Sequence, residues 1–158
     1  KNFGLSGETS ADLIGFNAKM SEFNAALGLL QLDKIDNDIK KRKLIDKKYR
    51  KELCNVKGIR CHIQPSTEKY NYSYFPIFIN EEYPLSRDAL NKKLESNQIF
   101  TRRYWYPLIT EFAVYKNKKY YEKLINAKSV SESVICLPIY PELSQKDIDL
   151  IINVIKFE

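Results

Sequence analysis

The sequence of this 158-residue chain predicts an α+β fold in which helices pack on a small, mostly antiparallel sheet. Apolar residues recur at helical spacing near both ends of the chain, whereas short runs rich in β-branched and aromatic residues lie in its middle. The predicted order of elements is ααβ-β-α-β-α-β-α. Short strands connected through helices and loops in this way are typical of an α+β layer, and the chain length fits one domain of ordinary size.

The first sixteen residues form a predicted loop or hairpin arm, because Gly4, Gly7 and Gly15 alternate there with small polar residues. A long arm of this kind is unusual in a free-standing domain. We therefore expect that it packs against a part of the protein that lies outside this chain.

Two helices are predicted after the arm. Ser21 is a suitable N-cap, and the first helix is expected to end near Leu32. Asp33 or Asp36 then starts a second helix, which Gly58 ends. The core face of this helical region is predicted from residues spaced about four apart: Ile35, Ile39, Ile45, Tyr49 and Leu53.

Four strand-like runs follow, at residues 59–63, 72–79, 99–104 and 134–137. Pro76 lies inside the second run. Because proline cannot donate a hydrogen bond to a neighbouring strand, this run is predicted to have an edge position or a bulge.

Helix signals separate and follow these runs. Ser86 is a predicted N-cap with Asp88 in the first turn of its helix, and a helix is expected near 118–126 in the stretch rich in Tyr and Lys. Ser144 and Asp147 resemble a capping box with Asp in place of Glu, at the start of the last helix. The inward face of that helix is predicted to carry Ile148, Ile151, Ile152 and Ile155.

The chain is basic, with 26 Lys and Arg against 20 Asp and Glu, a net charge of +6. The main basic run, residues 40–51, is interrupted by Asp46 and by apolar residues, so most of it is expected to be a solvated helix face. A patch that attracts a diphosphate ligand or a neighbouring subunit is the alternative. Nucleic-acid binding would rest on charge alone, and no nucleic-acid or membrane partner is expected.

The three cysteines, Cys54, Cys61 and Cys136, form an odd and sparse set with no C-x-x-C pair. This argues against a disulfide framework and against a zinc site. We expect three reduced structural thiols, no bound metal and a cytoplasmic location.

The residues alone do not identify a reaction. His62 is the one histidine, and its place in a predicted strand favours a partly exposed structural residue. No phosphate-binding glycine motif, zinc-protease motif or paired carboxylates stand out.

Three segments in register change this interpretation. Residues 15–22 have the sequence Gly-Phe-Asn-Ala-Lys-Met-Ser-Glu, residues 101–108 follow an Asn-Tyr-Ser-Tyr-Phe-Pro segment at 71–76, and residues 134–141 end in Pro-Ile-Tyr-Pro. Together they resemble the signature of the nucleotide-sugar aminotransferases of the DegT/StrS type, which use pyridoxal phosphate. The resemblance covers nearly the whole chain.

The resemblance implies the C-terminal portion of an aspartate-aminotransferase-like enzyme. Residues 1–16 would be an arm of the large domain, and residues 17–158 the small domain. Such enzymes form homodimers and convert a keto group on a nucleotide-linked sugar to an amine, usually with glutamate as donor. The lysine that binds the cofactor belongs to the preceding large domain. We therefore assign no catalytic residue here, and we expect neither bound pyridoxal phosphate nor catalysis from this chain alone.

The resemblance also assigns binding residues. Asn17 matches an asparagine that reaches across the dimer to the cofactor phosphate, and Lys19 stands where many members have a phosphate-binding arginine. Arg102 and Tyr104 match a segment that approaches the sugar nucleotide from the partner subunit, and Tyr104, Trp105 and Tyr106 are expected to line the sugar pocket. For each residue a purely structural or solvated role is the alternative.

Two other functions remain open at this point. The chain could be a stand-alone, non-catalytic binding module with the same fold, or a basic nucleic-acid-binding domain. The sequence does not identify the sugar, the carbon that is aminated or the nucleotide. If a large domain normally covers the arm and helix faces, the isolated chain is expected to self-associate through apolar surface.

Overall fold

The computed structural model describes residues 3–16, 18–64, 69–115 and 124–157. Its helices are α1 (Glu22–Leu53), α2 (Arg87–Ser96), α3 (Ile125–Ser133) and α4 (Gln145–Lys156), and its strands are β1 (Ile59–Cys61), β2 (Phe75–Ile79) and β3 (Val134–Leu137). The chain divides into two compact units, Lys1–Asn37 and Asp38–Glu158, which we describe separately. No helix within the described ranges is long and apolar enough to cross a bilayer.

The helical region after the arm is one helix, so the prediction of two helices is wrong. Ser21 does cap its start, because the Asn24 N–H donates to Ser21 Oγ over 3.3 Å. Asp33 and Asp36 do not interrupt α1, since residues 33–37 contain neither Gly nor Pro and aspartate alone costs a helix little. A helical pattern without a breaker is better taken as one element.

Gly58 does not end α1, contrary to the prediction. The helix ends at Leu53, and Gly58 lies in the turn before β1 with a φ of +80°. A Cβ at this position would lie 2.1 Å from the backbone nitrogen of Tyr83. Glycine is needed both for the positive φ and for this close approach.

The sheet lies in the unit Asp38–Glu158 and has the order β1-β2-β3, with both pairs antiparallel. The α+β class with a small antiparallel sheet is therefore confirmed. The predicted edge position of Pro76 is wrong, because β2 is the central strand. Pro76 is accommodated where β1 has ended, and Cys136 opposite it directs its own N–H and C=O away to Arg102.

The predicted strand at 99–104 is reduced to one antiparallel bridge, in which Arg102 pairs with Cys136. Arg102 N–H donates to the Cys136 carbonyl over 3.2 Å, and Cys136 N–H donates back over 2.8 Å. The helix expected near 118–126 falls mostly on residues outside the described ranges, and α3 begins at Ile125.

The two capped helices are confirmed. Ser86 Oγ accepts from the Ala89 N–H at 3.2 Å, and Ser144 Oγ accepts from the Asp147 N–H at 3.1 Å. Both caps satisfy a first-turn amide that has no partner within its helix. The helices bury their apolar faces in one core with the sheet and the end of α1, and the predicted inward residues of α4 are all buried: Ile148, Ile151, Ile152 and Ile155.

Two buried groups of the core, the Tyr83 hydroxyl and the Cys136 thiol, predict a loss of stability at alkaline pH. Tyr83 donates to the Ile155 carbonyl over 2.6 Å, and burial raises its pKa from 10.0 to about 12. Burial raises the pKa of the Cys136 thiol from 9.0 to about 11. The unfolded chain releases both protons earlier, so the contribution of these two groups to the free energy of unfolding should be constant below about pH 9. It should fall by about 1 kcal/mol per pH unit for each group, from pH 9 to 11 for Cys136 and from pH 10 to 12 for Tyr83. Urea unfolding across this range tests it, and Tyr83→Phe should remove the tyrosine's share.

The cysteines are not all reduced, and this corrects the prediction of three free thiols. Cys54 and Cys61 form a disulfide with a Cα–Cα distance of 5.5 Å, and Cys136 is free and buried. No local sequence pattern predicts this pair, because the turn through Gly58 brings together residues that are seven positions apart. A C-x-x-C pattern is therefore not required for bonding here.

Reduction of this disulfide should lower stability moderately. The closed loop is short, so the chain-entropy estimate of its contribution is about 2.5 kcal/mol. We expect dithiothreitol to lower Tm of the chain, and a Cys54→Ala/Cys61→Ala double variant to be insensitive to the reductant. An equal shift in both proteins would contradict this assignment.

The unit Lys1–Asn37 exposes large apolar side chains. Leu5 and Ala11 form one antiparallel bridge, as in a hairpin arm. Phe23 is 78% exposed, and Gly28 has open space where a Cβ would stand. Four apolar residues that recur at helical spacing are exposed in this unit: Met20, Phe23, Leu27 and Leu30.

Candidate substrate groove

An open groove of about 450 Å³ lies in the unit Asp38–Glu158, between the segment 100–106 and α2. Asn91 and Glu95 of α2 line one side, and the segment supplies two arginines and four aromatic residues. Main-chain hydrogen bonds between Arg102 and Cys136 attach this segment to β3. The groove therefore combines cationic and aromatic groups on an anchored backbone.

The guanidinium of Arg102 is available for a ligand. Its side chain is exposed and makes no hydrogen bond or ion pair within the described ranges. The neighbouring Arg103 is different, because its Nη1 donates to Asp88 Oδ1 over 3.0 Å. Of the two arginines, Arg102 is the one whose guanidinium can donate hydrogen bonds to an anionic group without breaking a contact within the protein.

An aromatic cluster adjoins the two arginines. The Tyr104 and Tyr74 hydroxyls share a hydrogen bond over 3.3 Å, and this contact raises the pKa of Tyr74 above its ordinary value. The Tyr104 ring also lies 4.7 Å, centroid to centroid, from the ring of Trp105 in an edge-to-face arrangement. Trp105 is 73% exposed, so its face is available for stacking.

Tyr106 lies at the other end of the segment. Its ring centroid is 4.3 Å from the guanidinium carbon of Arg87 and 5.3 Å from that of Arg103. Both distances are within the range of cation–π attraction. Two cations therefore contact the ring, while 42% of the residue stays exposed to solvent.

Three of the five residues predicted to bind ligands come together in this groove: Arg102, Tyr104 and Tyr106. Lys19 is an exposed residue of the unit Lys1–Asn37, and Asn17 lies outside the described residues. Sequence reasoning missed the contacts of Tyr74 and Asp88. The sequence explains Asp88 by its favourable place in the first turn of a helix, and it does not predict the ion pairs with Arg87 and Arg103.

The other candidate sites carry less chemistry. A larger cavity of about 920 Å³ lies between the loop after β2 and α3, but acidic residues, Glu81, Glu82 and Glu132, share its lining with Arg60 and Arg87. His62 uses its main-chain oxygen to accept from Arg50 over 2.6 Å. Within the described part of the chain, no group of three His, Cys, Asp or Glu side chains is arranged to hold a metal ion.

Comparison with known proteins places these features in context. Residues 1–156 match the DegT/DnrJ/EryC1/StrS aminotransferase family. The chain is 42% identical over 156 residues to a dTDP-4-amino-4,6-dideoxy-D-glucose transaminase of Shigella dysenteriae, which covers 99% of this chain and 42% of that relative. It is 30% identical over 145 residues to a GDP-perosamine synthase of Vibrio cholerae, covering 92% of this chain and 39% of that protein.

Solved structures agree in fold. The structure of DesI in the presence of its TDP-sugar product superposes with a TM-score of 0.82 at 25% identity, over 99% of this chain and 40% of that one. The structure of S. venezuelae DesV in complex with a ketimine intermediate gives a TM-score of 0.81 at 21% identity, over 99% of this chain and 41% of that one. The chain spans about two fifths of the length of the relatives it matches.

Proposed function

Because the chain belongs to the DegT/DnrJ/EryC1/StrS aminotransferase family, we propose that it forms the C-terminal small domain of a pyridoxal-phosphate-dependent nucleotide-sugar aminotransferase. The observation that carries this proposal is the groove in which Arg102, with no hydrogen bond or ion pair to the described residues, lies among aromatic side chains. A nucleotide sugar has a diphosphate, which suits a guanidinium fork, and rings that suit aromatic faces. Since the chain spans about two fifths of its relatives, the activity is assigned to the whole polypeptide.

The proposed substrate is a dTDP-linked 4-keto-6-deoxy sugar that exchanges its keto oxygen for an amino group at C4. The support is the 42% identity to two proteins named dTDP-4-amino-4,6-dideoxy-D-glucose transaminase, in Shigella dysenteriae and Escherichia coli. The relatives named GDP-perosamine synthase are 28% to 30% identical, which makes a GDP-linked sugar the weaker candidate. Glutamate is the proposed amino donor.

The groove residues have binding roles in this proposal. Arg102 neutralises the diphosphate, and the exposed hydroxyl pair of Tyr104 and Tyr74, 3.3 Å apart, offers both a donor and an acceptor to sugar hydroxyls. Tyr106 offers a ring edge and a hydroxyl at the mouth of the groove. These groups orient the substrate, and the bond-making groups belong to the rest of the polypeptide.

The family depends on pyridoxal phosphate, which supplies the electron sink for amino-group transfer. Among the described residues, the predicted phosphate-binding loop contributes Lys19, whose exposed ammonium suits a phosphate. One exposed lysine is not a complete cofactor site, so we derive no chemical step through it. We propose that Asn17 and Lys19 add to a cofactor site that other parts of the protein complete.

An amino-transfer assay on the whole polypeptide tests the proposal. Incubation with dTDP-4-keto-6-deoxyglucose, glutamate and pyridoxal phosphate should yield 2-oxoglutarate and the dTDP-linked amino sugar, whereas the GDP-linked analogue should react more slowly. The chain of 158 residues alone should form neither product nor the visible absorbance band of lysine-bound cofactor. If the whole polypeptide binds the nucleotide sugar but forms no product under these conditions, a non-catalytic binding module is favoured and the proposal is wrong.

We also propose that the protein assembles as a homodimer, and that the apolar surface of Lys1–Asn37 takes part. Its support is the exposure of Phe23 at 78% and of several leucines, which is uncommon on monomeric proteins. Light scattering should show concentration-dependent association of the 158-residue chain, and Phe23→Ser should weaken it by about tenfold in Kd. Ile63→Ser, at an 81% exposed position of the other unit, is the matched control. A strictly monomeric wild-type chain would count against this role.

A further inference from the structure

The ring of Tyr106 in the candidate groove has two cationic neighbours. Two guanidinium carbons, those of Arg87 and Arg103, lie 4.3 Å and 5.3 Å from its ring centroid. Two cations near one ring repel each other, so an arrangement of this kind needs a negative charge to hold both.

Asp88 provides that charge. Its Oδ1 atom accepts a hydrogen bond from Nη1 of Arg103 over 3.0 Å and forms an ion pair with Nε of Arg87 at 2.8 Å, so one carboxylate oxygen attracts both cations. The contact with Arg87 is electrostatic, because Nε of Arg87 has no hydrogen-bond partner among the described residues. The Tyr106 N–H in turn donates to the Arg103 carbonyl over 3.1 Å, which closes the turn that carries the ring. Asp88 is thereby connected to Tyr106 both through the two cations and through the backbone of Arg103.

The other end of this network is fixed in the protein interior. The Arg87 side chain is only 5% exposed, and its Nη1 donates to the Ser131 carbonyl of α3 over 3.0 Å. Burial lowers the pKa of the Arg87 guanidinium below its ordinary value, and the carboxylate of Asp88 opposes this shift. Arg87 is therefore anchored in the interior, and Asp88 connects the surface-exposed Arg103 to it.

We propose that Asp88 is a positioning residue of the groove, which sets the orientation of residues 103–106 and so the affinity for the nucleotide sugar. The inference about affinity rests on the proposed function, whereas the inference about orientation does not. Asp88 lies on α2 and does not line the groove. Its effect on a ligand is therefore exerted through Arg103 and Tyr106.

The orientation is tested in the 158-residue chain, because Trp105 is its only tryptophan and lies inside the segment. Asp88→Asn keeps the size of the side chain and removes its charge. We expect the fast component of the Trp105 anisotropy decay to grow about twofold in amplitude, since a released segment gains nanosecond motion. Arg103→Gln, at a side chain 40% exposed, should reproduce the effect without disturbing the core.

Asp147→Asn is the matched control. Asp147 occupies the first turn of α4, as Asp88 does in α2, so its loss removes a similar helix-dipole interaction without touching the groove. We expect normal Trp105 anisotropy in this variant. If Asp88→Asn and Arg103→Gln both leave the anisotropy unchanged, or if Asp147→Asn changes it equally, the inference is overturned.

The consequence for affinity is tested in the whole polypeptide. Asp88→Asn should raise KM for the dTDP-linked sugar about three- to tenfold and leave kcat nearly unchanged, because it misplaces binding groups and no bond-making group. A loosened segment with an unchanged KM would contradict the placement of the substrate in this groove, although the network itself would stand. A fall in kcat alone would overturn the positioning role.

Discussion

Replacement of Arg102 by alanine is expected to raise KM of the whole polypeptide for its nucleotide sugar about 100-fold, equivalent to about 2.7 kcal/mol. The physical reason is that Arg102 is the groove arginine whose guanidinium has no hydrogen bond or ion pair among the described residues, whereas Arg103 is engaged by Asp88. Loss of a desolvated guanidinium–diphosphate contact typically costs this much. Steady-state kinetics at varied nucleotide-sugar concentration provide the measurement.

Two further variants make this result interpretable. Arg102→Lys keeps the charge but not the bidentate fork, so its KM should lie between those of the wild type and Arg102→Ala. Arg60→Ala removes an exposed arginine that stacks 4.1 Å from the centroid of Phe78, outside the groove, and should leave KM unchanged. Equal effects of Arg102→Ala and Arg60→Ala would indicate a general loss of positive charge and would refute a specific diphosphate contact.

Replacement of Phe75 by alanine is expected to lower the free energy of unfolding by about 3–5 kcal/mol, a large share of the stability of an ordinary domain. Phe75 lies on the central strand, is 1% exposed, and has its ring centroid 5.0 Å from that of the buried Tyr49. The guanidinium of Arg50 lies over the same ring at 5.4 Å. The cavity left by the truncation would therefore disturb the contact between α1 and the sheet. Urea unfolding followed by circular dichroism measures the loss.

Phe78 supplies the control on the same strand. It points to the opposite face of β2 and is only partly buried. We expect Phe78→Ala to cost about 1 kcal/mol, because less apolar area leaves water on folding there. Similar losses for the two variants would contradict the assignment of the core to the Phe75 face.

Local signals in the sequence were sufficient for much of the fold. The helix caps at Ser86 and Ser144 follow from side-chain chemistry within four residues, and both are present. The buried isoleucines of α4 follow from helical periodicity. These features depend on near neighbours, so no knowledge of the tertiary structure was needed.

Two of the errors concern features that distant residues decide. Pro76 lies in a central strand because β1 ends before it and because Cys136 pairs with Arg102 instead. The bond between Cys54 and Cys61 depends on the turn at Gly58, whose conformation is required by Tyr83. Neither partner is visible from the local sequence.

The groove shows the same division. The motif around residues 101–108 was sufficient to group Arg102, Tyr104 and Tyr106, which line one groove. The role inferred for Asp88 depends on the tertiary structure, because one of its two cationic partners, Arg103, is fifteen residues away in the sequence. A residue whose position is explained by its place in a helix, such as Asp88, can also make tertiary contacts that the local sequence does not predict.

The attachment of the groove segment to β3 has a consequence for how such proteins diversify. Arg102 and Cys136 are joined by peptide N–H and C=O groups, and these groups are the same whatever side chains the two positions carry. Side chains at 103–106 can therefore be exchanged in evolution without losing the two hydrogen bonds that attach residue 102, next to them, to β3.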